Sequence, residues 1–66
     1  MKIFVNNKEI TLFRGAKVKD AVLMFDRKVL REISSYEILD KYGNQTDVDG
    51  ALQEGSRLFI RKTEGN

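Results

Sequence analysis

The chain has 66 residues, of which 12 are Lys or Arg and 10 are Asp or Glu, and it contains no cysteine, histidine, proline or tryptophan. A chain this short buries only about 60% of the surface that its unfolded form exposes, so it builds one domain around one core. The missing Cys and His exclude disulfide staples, thiolate and imidazole metal sites, thiol nucleophiles and imidazole general bases.

The longest uninterrupted apolar run, Ala21 to Phe25, falls far below the roughly 20 residues that a membrane span needs. The first residues also lack the apolar stretch of a signal peptide, so a cytoplasmic location is the expectation. The net charge of +2 is unevenly spread: residues 1–33 carry eight Lys/Arg against four Asp/Glu, and residues 34–66 carry four against six. A third of the residues being charged, with both signs mixed, is an ordinary pattern for solubility. The same excess of cations admits nucleic-acid contact.

Lys2 to Asn6 and Lys8 to Phe13 read as two strands rich in β-branched and aromatic residues. Asn6-Asn7 between them predicts a tight turn, because asparagine tolerates positive φ. After Arg14-Gly15 the period changes. Val18, Ala21, Val22 and Phe25 fall at i, i+3, i+4 and i+7, which predicts a helix from about Lys17 to Lys28 with these four on its buried face and Leu23 at the edge. Val29 to Ser35 is ambiguous between an extension of that helix and a break at Ser34-Ser35. Tyr36 to Leu39 resembles a short strand ending in the turn Asp40 to Gly43, with Asn44 to Val48 as a short return strand. Arg57 to Arg61 alternates strictly, as a strand with one buried and one solvated face does.

The order hairpin, helix, short strands, final strand predicts an α+β fold in which a mixed sheet of four to five strands carries one main helix on one face. The simplest unknotted arrangement sets the last strand parallel to the first. This is the ubiquitin-like β-grasp architecture, expected over residues 1–62, with 63–66 as a flexible tail.

Met1-Lys2-Ile3-Phe4-Val5 resembles the first strand of ubiquitin. Gly15-Ala16-Lys17-Val18-Lys19-Asp20-Ala21 and Leu52-Gln53-Glu54-Gly55-Ser56-Arg57-Leu58-Phe59-Ile60 resemble the helix entry and last strand of the small sulfur carriers of thiamin and molybdopterin synthesis. The resemblance spans most of the chain through short motifs. It implies a partner such as an adenylating or cofactor-synthesis enzyme, and a working C-terminal carboxylate on a Gly-Gly tail. Here the tail reads Thr63-Glu64-Gly65-Asn66. Carrier chemistry would therefore need Asn66 removed to leave Gly65 terminal, since glycine threads a narrow channel at any φ and a side chain does not.

Strand parity places Ile3, Val5, Ile10, Leu12, Leu58 and Ile60 beneath the helix. The other face then displays Lys2, Phe4, Thr11, Phe13, Arg57, Phe59 and Arg61. Three aromatics among basic residues mark an interaction surface if they are open; if loops cover them or they only pair across strands, they are structural. The functional expectation is a protein-binding face of Lys2, Phe4, Phe13, Arg57, Phe59 and Arg61, in a protein that is not an enzyme and uses no cofactor. A second class is single-stranded nucleic-acid binding through base stacking on the same aromatics, which the five carboxylates between Glu37 and Glu54 oppose.

Two other motifs carry less. Asp47-Val48-Asp49-Gly50 has part of a calcium loop's pattern, but Gln45 and Ser56 stand where ligands are required, so no metal site is expected. Gly15 ahead of the helix lacks the glycine-rich loop or Lys-Ser/Thr pair of a phosphate site and reads as a turn. Asp47 and Asp49 as an acid and base pair would need an enclosing pocket, which so short a chain does not supply.

Overall fold

A computed structural model of the chain describes residues 1–63. In chain order it contains β1 (Lys2–Val5), β2 (Lys8–Thr11), α1 (Val18–Phe25), α2 (Arg27–Arg31), a single 3₁₀ turn (Ile33–Ser35), β3 (Tyr36–Leu39) and β4 (Arg57–Lys62). The four strands form one sheet in the order β2-β1-β4-β3. β1 runs antiparallel to β2 and parallel to β4, and β3 closes the other side antiparallel to β4.

The hairpin forms because Asn6 and Asn7 both take left-handed backbone conformations, with φ of 51° and 68°. Two consecutive positive φ values make the turn that matches strand twist, and asparagine is the non-glycine residue best suited to them. β2 ends earlier than its composition predicts. The Leu12 N–H donates to the Met1 carbonyl at 2.8 Å, and the ladder between the two strands ends at that pair. Phe13 therefore leaves the strand, and its carbonyl accepts from Ala16 in the following turn at 3.2 Å.

α1 buries Val18, Ala21 and Val22 against Ile3, Val5, Ile10, Leu12, Leu58 and Ile60, as the spacing predicts, while Phe25 is only half-buried. The helix does not reach Lys28. Asp26 is extended, with φ −164° and ψ 110°, and its N–H closes α1 on the Val22 carbonyl at 2.9 Å. Its carboxylate accepts from the Lys28 N–H at 2.9 Å and so caps α2. Aspartate competes with the helix for backbone donors and favours this capping position over a helix interior. The break redirects the chain and brings Val29 into the core.

The first donors of α1 are taken up at long range. Val18 N–H donates to the Gly50 carbonyl at 3.0 Å and Lys19 N–H to Val48 at 2.8 Å, while the Asp20 carboxylate accepts from the Lys17 N–H at 2.8 Å. Asp47-Val48-Asp49-Gly50 is thus a clasp on the helix start. Gly50 sits in a tight space: a Cβ there would lie 3.1 Å from the Asp47 carbonyl oxygen and 3.4 Å from Val18 Cγ2. Asn44 to Val48 does not form a strand; the segment makes only an isolated bridge, Leu39 to Gln45, with Thr46 N–H donating to Ile38 at 2.9 Å. Two bonds do not sustain a ladder once the Asp40 turn has redirected the chain.

Candidate interaction surface

Both helices contribute to the core on one side of the sheet, leaving the other side as the candidate surface. Register fixes what it displays, because directly paired residues share a face. Lys2 pairs with Thr11 and Phe4 with Glu9; Phe4 also lies beside Arg57 across the parallel pair. Phe59 pairs with Leu39 and Arg61 with Glu37. The centre of the face is therefore Phe4, Phe59 and Leu39, all half-buried, ringed by exposed Lys2, Glu9, Thr11, Arg57 and Arg61.

The structure brings five of the six residues read from sequence onto this face: Lys2, Phe4, Arg57, Phe59 and Arg61. Phe13 is the exception. It stands 64% exposed beyond the end of β2, outside the strand register, because the pairing that would have held it stops at Leu12. Glu9, Glu37 and Leu39 were missed. The alternation in Tyr36-Glu37-Ile38-Leu39, with Ile38 buried, is the signal that places Glu37 and Leu39 opposite the core.

The electrostatics are partly neutralised. Lys2 Nζ lies 3.8 Å from Glu9 Oε2, and Arg61 is hydrogen-bonded to Glu37. Arg57 is different: its guanidinium lies 4.4 Å from the Phe4 ring centroid, and among the described residues it forms no ion pair. Stacking holds that cation against the Phe4 end of the apolar row and leaves its donors available.

An open groove of about 340 Å³ adjoins Arg57, floored by Val18, Leu52 and Leu58. Its carboxylates are structural. Asp40 accepts from the Tyr42 and Asn44 N–H groups at 2.9 Å each, shaping the turn after β3, and Glu54 accepts from the Lys2 N–H at 3.1 and 3.2 Å. Among the described residues no cluster of three acidic groups is arranged to hold a metal, and no helix is long and apolar enough to cross a membrane.

Gly65 and Asn66, the residues on which carrier chemistry would depend, lie outside the described residues. Thr63 is tied to the 3₁₀ turn, its N–H donating to the Ser35 carbonyl at 2.9 Å and its hydroxyl at 3.2 Å. Comparison with known proteins gave no matching family model, no matching curated protein and no matching solved structure.

Proposed function

We propose that this chain is a ubiquitin-like β-grasp module, resembling the small sulfur carriers, that binds a protein partner through its open sheet face and has no catalytic centre. The strand order β2-β1-β4-β3, the parallel central pair and the one main helix, α1, support the architectural part. The observation that carries the functional part is the row Phe4, Phe59 and Leu39, left half-open on a sheet face that no helix covers, with Arg57 stacked on it and free of ion pairs among the described residues. Aromatic anchors at the centre of a patch with an Arg stacked on them, and paired charges around them, is the composition of a protein-binding surface.

The same geometry weighs against nucleic acid. A base-stacking platform needs bare ring faces, and the Phe4 ring is already covered by Arg57. Glu9 and Glu37 share the face and would repel phosphates.

The test is affinity capture from the native cell with the wild-type chain, Phe59→Ala and the control Lys19→Ala on the opposite side of the sheet, after each variant is shown to unfold cooperatively. Loss of one captured protein with Phe59→Ala alone supports the reading. Equal capture by all three, or a salt-sensitive oligonucleotide complex in place of a protein, overturns it.

A further inference from the structure

A second surface lies at the junction of α1 and α2, on the helical layer and away from the open sheet face. Leu23 is 42% and Met24 62% exposed in the last turn of α1. Arg27, Lys28 and Arg31 follow, all exposed, and none forms an ion pair among the described residues.

Local energetics oppose this arrangement. Arg27 and Arg31 stand at i,i+4 and Lys28 and Arg31 at i,i+3, spacings at which like charges on a helix repel. Arg27 is also in the first turn of α2, where the helix dipole disfavours a cation; only Lys28 and Arg31, in the last turn, gain from it. Of the neighbouring carboxylates, Asp26 is committed to the Lys28 N–H, and Glu32, next to Arg31 and at i+4 from Lys28, forms no ion pair with these cations among the described residues. Leu23 and Met24 add exposed apolar surface that the core does not use. A cluster that breaks local rules without a local compensation is where function is expected.

The chemistry of the five residues selects among anionic ligands. Three cations fall short of the about four to eight that hold a chain on an anionic membrane, and the apolar face of α1 is already buried against the sheet. None of the five is aromatic, so nothing offers a base a stacking platform. Met and Arg are the residues enriched at protein interfaces, and a guanidinium binds a carboxylate through two parallel bonds.

We propose that Leu23, Met24, Arg27, Lys28 and Arg31 form a second docking site, for an acidic segment of a partner protein whose carboxylates alternate with apolar side chains. It is separate from the sheet face, so both surfaces can be occupied together.

The experiment is an amide-resolved NMR titration of the full chain with a synthetic peptide that alternates Glu with Leu and Phe. Shifts concentrated on residues 23–31 are expected, with affinity falling roughly tenfold or more in Arg27→Glu/Arg31→Glu. Leu23→Ser/Met24→Ser should weaken binding under salt that screens the charges. The spectra themselves report that each variant is folded. Absent shifts at 23–31, an unchanged affinity after charge reversal, or tighter binding of a single-stranded oligonucleotide or phosphatidylserine vesicle at these residues overturns the proposal.

Discussion

The side chain of Asn6 engages both backbone groups of Ile60, accepting from its N–H through Oδ1 at 2.9 Å and donating from Nδ2 to its carbonyl at 3.3 Å. Asn6 N–H also donates to Leu58 at 2.9 Å. A turn residue thus extends the parallel β1–β4 pairing past the point where β1 ends, satisfying a part-buried donor that would otherwise be orphaned. Asn6→Gly keeps the positive φ and removes only the side-chain bonds, so the predicted cost is about 1–3 kcal/mol. Asn7→Gly, at the matching turn position, should stay within about 0.5 kcal/mol of wild type. Urea titrations of the two variants side by side check the difference.

Gly50 sets the start of α1 from across the chain. Gly50→Ala should cost about 1–3 kcal/mol, because the new methyl meets the Asp47 carbonyl, a backbone atom that cannot yield cheaply. The loss should localise. Amide exchange at Val18 and Lys19, whose donors bind Gly50 and Val48, is expected to accelerate before exchange in the sheet does.

The Arg57–Phe4 stack holds a cation in place and contributes little to stability. A double-mutant cycle of Arg57→Ala with Phe4→Leu should return a coupling of about 0.5–1 kcal/mol at this exposed site. The Glu37–Arg61 pair is also largely solvated on the Arg61 side and should contribute under about 1 kcal/mol. Folding free energies from denaturant curves measure both.

Much of the fold was legible because its signals are local. The Asn6-Asn7 turn, the period of Val18, Ala21 and Val22, and the alternation of Arg57 to Arg61 each follow from steric preference or from which face is buried. What was not legible depends on partners distant in sequence. The Asn6 side chain reads as a turn former until Ile60, 54 residues on, is placed beside it. Phe13 reads as strand because nothing local says that the pairing stops at Leu12. Val29 continues an apolar stripe, so the break at Asp26 hides behind it. On the candidate surface, parity identified Phe4, Phe59, Arg57 and Arg61, whereas Glu37 and Leu39 needed the β3–β4 register to join them.

The central claim is that the open sheet face binds protein, and site-specific photo-crosslinking in the native cell tests it most directly. Thr11 and Arg61 are exposed on that face and flank the aromatic row, so a photoreactive residue at either leaves Phe4 and Phe59 intact. Lys19, exposed on α1 on the opposite side of the sheet, is the control. The account predicts the same crosslinked protein from positions 11 and 61, absent from position 19 and lost when Phe59→Ala is added. Crosslinks from position 19 alone, or a product unchanged by Phe59→Ala, would contradict it.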